Sequence, residues 1–152
     1  MKTAHLFTYA IFFSLTATVA IADDFKTGNI IISDPMIRLT ISNRPAAGFM
    51  VINNAGNTQD RIISATSPAA QRIELHTHTM KDGIMRMRPV KGVDIPAKSQ
   101  VAFKSGGYHM MVFGLKPTVK PGDKISITVF FEKTGALEIK APVKSLMKMK
   151  RE

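Results

Sequence analysis

Cysteine is absent from the 152-residue chain. Without a thiol there can be no thiol redox chemistry and no zinc-cysteine site. A blue-copper centre with a cysteine ligand is excluded for the same reason. Disulfides are excluded too, so the fold must depend on packing even in an oxidising compartment.

Long hydrophobic runs are also scarce, and the one candidate lies at the start of the chain. Residues 6–22 are uncharged and mostly apolar, but serine and threonine interrupt the run at four positions. A membrane-spanning helix needs about 20 strongly apolar residues. Lys2 precedes the run and Ala20-Ile21-Ala22 closes it, which is the pattern of a secretory signal peptide. We predict a cleaved signal peptide over residues 1–22, with a retained membrane anchor as the alternative.

Negative charge is in short supply. Loss of Lys2 with the signal peptide leaves 20 basic and 11 acidic residues, a net charge of about +9. A basic surface favours acidic proteins, anionic lipid or nucleic acid as partners, and secretion disfavours nucleic acid. We therefore expect no nucleic-acid partner and allow for peripheral membrane contact through the basic surface. Solubility alone is the alternative explanation of the charge.

No stretch shows a sustained helical period. Short segments with alternating polarity and many β-branched residues recur instead, separated by turn residues. Many short strands without crossover helices predict an antiparallel sandwich or barrel. We expect one domain over residues 23–142 and a basic, flexible tail over 143–152. The predicted strands cover residues 29–33, 36–41, 48–54, 61–67, 72–80, 83–90, 100–105, 108–115, 124–133 and 136–143.

Methionine and histidine, by contrast, occur in clusters. Residues two apart in a strand share a face, so His109 and Met111 point one way and Met110 points the other, toward the core. Met85 and Met87 alternate with arginines, so they line an inner face or belong to an irregular rim. Core packing is the alternative for any single methionine. Further donors that share a face are His76, His78 and Met80.

This set of side chains has a chemical preference. Thioether is a soft, neutral donor that suits Cu(I), and imidazole also accepts copper. Ligation by histidine and methionine, without carboxylate or thiolate, leaves the charge of the metal unneutralised. Such a site therefore favours the monovalent ion.

The spacing of four of these residues forms a longer pattern. Ten residues separate His76 from Met87, 21 separate Met87 from His109, and one separates His109 from Met111. This resembles the H-x10-M-x21-H-x-M motif of the periplasmic copper chaperones called PCu(A)C. The surrounding segments "AAGFMVINNAG", "SPAAQRIELHTH", "GIMRMRPV" and "GGYHMMVFGLK" are similar too, so the resemblance covers about residues 27–142.

The resemblance implies an all-β, cupredoxin-like Greek-key sandwich in the periplasm. It implies one Cu(I) held by His76, Met87, His109 and Met111. It also implies delivery to a copper-accepting protein, either the CuA-containing subunit of cytochrome c oxidase or a Sco-type protein. The motif does not require His78, Met80 and Met85. We treat them as candidate accessory donors, in a second shell, an entry route or a weak second site, with packing as the alternative.

Other functions remain open at this point. Copper storage or resistance would use the same ligands as delivery. A basic interaction module without metal is a further alternative. The sequence has no paired catalytic carboxylates, no Ser-His-Asp signature and no phosphate-binding loop, so we expect no catalytic residues and no enzyme. Copper redox catalysis is the one enzymatic reading left open.

Overall fold

The computed structural model describes residues 24–40 and 44–145, and within them all regular structure is β-strand. The eleven strands are β1 (Phe25–Thr27), β2 (Ile30–Arg38), β3 (Ala46–Asn54), β4 (Asp60–Thr66), β5 (Arg72–Lys81), β6 (Ile84–Pro89), β7 (Val93–Ile95), β8 (Ser99–Phe103), β9 (His109–Phe113), β10 (Lys124–Phe131) and β11 (Gly135–Lys144).

The strands form one continuous sheet that encloses its own core. Their order is β6-β5-β9-β3-β2-β11-β10-β4-β7, with β1 paired to β2 and β8 paired to β3. The two halves meet where β11 runs parallel to β2 for two residues, and almost all other pairings are antiparallel. One cluster of buried side chains draws on strands from both halves, including Ile52, Val112, Ile127 and Ile139. The predicted all-β sandwich is confirmed.

Strand alternation placed the core residues correctly. In β10, Ile125, Ile127, Val129 and Phe131 are all buried while the residues between them are half-buried. Met110 is only 1% exposed, as its parity in β9 predicted. Burying these apolar faces against one another supplies the main stabilisation of a fold without disulfides.

Three strands differ from the prediction: two short ones, β1 and β7, were missed, and β2 is continuous where two strands were predicted. β1 and β7 have three residues each, too few for a periodicity to register. The predicted strands over 29–33 and 36–41 implied a break at Asp34-Pro35, which is instead an irregularity inside β2. The register with β3 shifts between Ser33 and Met36, and Asp34 has a φ of 50°. Such a bulge bends a strand without ending it.

The predicted start of the tail was wrong by two residues. Val143 is 2% exposed and pairs with Ile37, and Lys144 is the last residue of β11. The folded domain therefore extends through Lys144. The rest of the predicted tail from residue 146, with Met147 and Met149, lies outside the described residues, as does the predicted signal peptide. Within the described ranges, no helix has the length and apolarity to cross a membrane.

The hairpin of β5 and β6 extends beyond the core at one end of the sheet. Its turn is Asp82-Gly83, and both residues have positive φ, 53° and 73°. A two-residue turn with positive φ at both positions matches the twist of a hairpin and fixes its register. Lys81 accordingly pairs with Ile84. All six residues of β6 are exposed, because this edge strand packs almost entirely against β5 and the other half of the sandwich covers neither of its faces.

Candidate metal centre

Strand register brings the histidines and methionines onto one face of the sheet. His76 of β5 lies directly opposite His109 of β9, and His78 lies directly opposite Met87 of β6. Directly opposed residues in a sheet project from the same face. Met111 is two residues beyond His109 and therefore shares that face. All four motif residues, together with His78, project from one surface.

His109 is buried, and its hydrogen bond defines its tautomer. The side chain is 3% exposed. Its Nδ1 lies 2.9 Å from the carbonyl oxygen of Gly107. A carbonyl oxygen can only accept, so Nδ1 carries the proton and Nε2 has the free lone pair. Burial lowers the pKa of His109, an effect that the bond to Gly107 only partly offsets, so the imidazole is neutral at neutral pH.

His76 is oriented by a carboxylate. Its Nε2 lies 3.0 Å from Oε2 of Glu74, and Nε of Arg72 donates to Oε1 of the same carboxylate at 2.8 Å. The hydrogen bonds from His76 and Arg72 hold the pKa of Glu74 below its ordinary value, so Glu74 is an ionised acceptor. Nε2 of His76 therefore donates, and Nδ1 has the free lone pair. Arg72 is itself seated over the ring of Phe113, 4.0 Å from its centroid.

The two free nitrogens share an unusual property. Among the described residues, Nδ1 of His76 and Nε2 of His109 are the buried side-chain nitrogen and oxygen atoms that lack a hydrogen-bond partner. Buried polar atoms are nearly always paired, and an unpaired one calls for an explanation. In metal-binding histidines the second ring nitrogen commonly donates to a carboxylate or a backbone carbonyl, as it does in both residues here.

The distances between rings allow a shared ion. The ring centroids of His76 and His109 are 5.9 Å apart, and those of His78 and His109 are 5.1 Å apart. A metal–imidazole bond is about 2 Å long, so two rings on one ion have centroids no more than about 6 Å apart. Distance alone therefore permits either pair. His78 differs in that its Nδ1 lies 3.5 Å from the carbonyl oxygen of Gly107, at the limit of a hydrogen bond.

The methionines flank these rings at a solvent-accessible cleft. Met87 is 49% exposed and Met111 is half-buried. Both line a cleft of about 390 Å³ together with His78 and His109, and Arg38 and Arg44 line it too. His76 does not line this cleft. The arrangement thus combines two buried nitrogen donors with sulfur atoms that are accessible from solvent.

The accessory donors continue along the same face, away from the core. Met80 and Met85 are directly opposed near the hairpin turn and are 66% and 57% exposed. The expectation that Met85 and Met87 line an inner face is wrong, and so is an irregular rim. β6 is a regular strand, and its exposure follows from the hairpin extending beyond the second half of the sandwich.

The donor types limit which metal the site can hold. Within the described part of the chain, no three His, Asp or Glu side chains are grouped to bind one ion. Any ion held by His76 and His109 would need the nearby thioethers to complete its coordination. Thioethers are poor ligands for hard divalent ions and good ligands for Cu(I).

The strand arrangement defines a class of fold: a cupredoxin-like β-sandwich, the fold that solved PCuAC domains also have. The model of one family, described as "Putative lipoprotein LpqE-like", matches residues 30–143, which is most of the chain. The chain belongs to this LpqE-like family.

A named relative agrees with this assignment. The protein "Putative lipoprotein Lxx21020" of Leifsonia xyli subsp. xyli is 36% identical over 99 residues. The match covers 64% of this chain and 60% of the relative. The chain therefore spans less than two thirds of that relative's length.

Solved structures confirm the predicted fold. A copper-bound PCuAC domain from PmoF2 has a TM-score of 0.69 at 22% identity, covering 81% of this chain and 98% of that domain. The solution structure of CuI-DR1885 from Deinococcus radiodurans has a TM-score of 0.62 at 24% identity, covering 83% of each chain. At such identities the likeness establishes the fold. The resemblance to PCu(A)C proteins is thereby confirmed at the level of the fold.

Proposed function

We propose that this chain is an exported Cu(I)-binding metallochaperone. Its donors are His76, Met87, His109 and Met111, and its cargo is a single cuprous ion. The observation that carries the proposal is the pair of buried, unpartnered imidazole nitrogens on neighbouring strands. Each of these nitrogens has a free lone pair, because the other nitrogen of the same ring carries the proton and donates it in a hydrogen bond. The copper in the PmoF2 domain and in CuI-DR1885 supports the same reading.

The proposal extends to location and partner. The sequence pattern of residues 1–22 and the word lipoprotein in the names of the family and the relative both favour export, here to the periplasm. The recipient we propose is the CuA-containing subunit of cytochrome c oxidase or a Sco-type protein. A thiolate is a stronger soft donor than a thioether, so copper would pass from this chain to a cysteine-bearing acceptor. The protein acts as a carrier and catalyses no reaction.

Transfer by ligand exchange suits the geometry of the cleft. Two imidazoles are anchored in the sheet, whereas Met87 lies on the exposed hairpin. An acceptor ligand that approaches through the cleft can replace a thioether first, while the imidazoles still hold the ion. Four neutral donors allow this exchange without separating the metal from a bound anion.

Competition titration with a chromogenic Cu(I) chelator under reducing conditions tests the binding. We expect one tight equivalent in the wild type and a large loss of affinity in His76→Ala and Met111→Leu. His78→Ala should retain more affinity than His76→Ala, because Nδ1 of His76 is the buried lone pair. Equal losses in the two histidine variants would remove the reason for choosing His76. A wild type without tight binding would refute the proposal.

Acid provides a second test of the same site. Protonation of the imidazoles competes with copper below about pH 6.5, whereas a thioether binds no proton. We expect the Cu(I) affinity to fall as the pH is lowered from 7 to 5. An affinity that stays flat across this interval would exclude histidine ligation.

Delivery requires its own experiment. Mixing the Cu(I)-loaded protein with a copper-free CuA domain should move copper to that domain faster than an equally tight chelator–copper complex does. Equal rates would indicate release into solution and would favour storage over delivery.

A further inference from the structure

The exposed end of the β5–β6 hairpin carries an unusual group of side chains. The described residues include six large, exposed apolar side chains, and four of them lie on this hairpin: Met80, Ile84, Met85 and Met87. Three of the four are methionines. Exposed apolar surface is generally disfavoured unless it has a use.

The register of the hairpin sorts these residues onto two faces. Met80 opposes Met85, and His78 opposes Met87, so these two pairs share the face that carries His76 and His109. Lys81 opposes Ile84, and Thr79 opposes Arg86, so those pairs project from the other face. At the outer end of the hairpin, beyond His76, the cationic side chains of Lys81, Arg86 and Arg88 therefore project from the face opposite to Met80 and Met85, which leaves that rung open to a cation.

Opposed pairs on one face of a sheet form evenly spaced rungs. Opposed Cβ atoms are about 5 Å apart, and successive rungs are about 6.7 Å apart along the strands. Two thioethers in one rung can thus reach a common ion, because each metal–sulfur bond is about 2.3 Å long. The rung nearest the turn has two sulfur donors, and the next has one imidazole and one sulfur.

We propose that Met80 and Met85 form an outer Cu(I) site, and that His78 and Met87 pass the ion between it and the inner donors. The inference rests on the proposed function, since it assigns a path to the same cargo. Met87 belongs both to the middle rung and to the inner set. The ion therefore moves by forming one donor bond as another breaks, with no change of oxidation state and no released proton.

This path explains why methionine, with its sulfur atom, occupies these exposed positions, which side-chain packing alone does not explain. A two-coordinate thioether pair in water holds Cu(I) weakly, so the outer site fills only after the inner one. Its exposure lets a donor or an acceptor protein reach the ion without opening the sandwich. Cross-strand packing alone would be served equally well by leucine, and this difference is the basis of the test.

The test uses the mature protein labelled with carbon-13 at the methionine methyl groups and titrated anaerobically with Cu(I). In the wild type, we expect the Met87 and Met111 methyl signals to move with the first equivalent and the Met80 and Met85 signals with the excess. The double variant Met80→Leu/Met85→Leu keeps the apolar surface and removes both sulfurs. It should keep the tight equivalent, lose the weaker one and exchange copper with a chelator more slowly.

Met36→Leu is the matched control, because it removes a half-buried thioether from β2, away from the hairpin. It should exchange copper at the wild-type rate. The inference is overturned if the Met80 and Met85 signals stay fixed throughout the titration, or if the double variant exchanges at the wild-type rate. Either result would refute the outer site without affecting the proposed inner site. Absence of the tight equivalent in the wild type would instead refute the proposed function.

Discussion

Glu74 and Gly107 determine which nitrogen of each site histidine is free. Glu74 accepts the Nε2 proton of His76, and the carbonyl of Gly107 accepts the Nδ1 proton of His109. The two histidines thus keep different ring nitrogens free, Nδ1 in His76 and Nε2 in His109. Neither Glu74 nor Gly107 is part of the four-residue motif, yet both prepare its imidazoles for a metal.

Replacement of Glu74 tests this positioning role. Two donors, from His76 and Arg72, reach the carboxylate, whereas the amide of Glu74→Gln has a single acceptor oxygen. Loss of such an outer partner typically lowers metal affinity by about 10- to 100-fold. We expect a loss in this range by chelator competition. Glu138→Gln, an exposed glutamate paired with Lys140, should have no effect. An unchanged affinity in Glu74→Gln would show that Glu74 does not position His76.

Met110 and Met111 have opposite roles despite being neighbours. Met110 is buried in the core and Met111 lines the cleft. Met110→Ala should cost about 2–5 kcal/mol in the free energy of unfolding. Met111→Ala should cost less stability and more Cu(I) affinity. Chemical denaturation and chelator competition on both variants measure the two effects, and the reverse ranking would contradict the facing of β9.

At the scale of the strand, the β5–β6 turn controls where Met87 lies. The Asp82-Gly83 turn pairs His78 with Met87 and leaves His76 opposite Pro89. A shift of one residue would turn both methionines of β6 to the other face. The register set by this turn is therefore a condition for the site.

Substitution of Gly83 tests that dependence. Gly83→Ala places an L side chain at positive φ, which costs about 1–2 kcal/mol. Gly135→Ala is the matched control, because Gly135 has a φ of 88° and begins β11 on the other half of the sandwich. In neither case does the added methyl meet a neighbouring atom. We expect similar losses of stability and a loss of Cu(I) affinity in Gly83→Ala alone. Equal affinity in the two variants would separate the turn from the site.

Much of this element-level description could be predicted from the sequence. Alternation placed the core residues of β9 and β10, and the motif spacing indicated His76, Met87, His109 and Met111. The exposure of β6 was missed because alternation shows which residues share a face and not which face is covered. The predicted strands over 72–80 and 83–90 implied a turn between them, and placing that turn at Asp82-Gly83 would also have predicted that Met87 opposes His78. The role of Glu74 was missed, although its position two residues before His76 in β5 puts both side chains on one face; alternation alone does not show that they hydrogen-bond.

At the scale of the whole molecule, Asp60 joins distant parts of the chain. It is 4% exposed, and its carboxylate accepts hydrogen bonds from the backbone of Arg61, Lys133 and Thr134 and from the Thr134 hydroxyl. Burial raises the pKa of Asp60, but these bonds outweigh it and the pKa lies below its ordinary value. The start of β4 is thereby tied to the turn between β10 and β11.

Because the pKa of Asp60 is lowered by folding, the free energy of unfolding should decrease at acidic pH. The unfolded chain binds a proton at Asp60 near pH 4, before the folded protein does, so the contribution is complete above that pH and is lost as the pH falls further. Asp60→Asn should lower the free energy of unfolding by about 1–3 kcal/mol at pH 7, because the NH₂ group of the asparagine amide would meet groups that donate hydrogen bonds. Denaturant unfolding at several pH values should show the difference between the two proteins shrinking below about pH 4. A difference that stays constant with pH would rule out this role.

The central claim is that two imidazoles and two thioethers, from three strands, bind one cuprous ion. X-ray absorption spectroscopy of the Cu(I)-loaded protein measures this most directly. The account predicts about two nitrogen neighbours near 2.0 Å and about two sulfur neighbours near 2.3 Å. A copper shell of nitrogen and oxygen alone, with no sulfur, would contradict it.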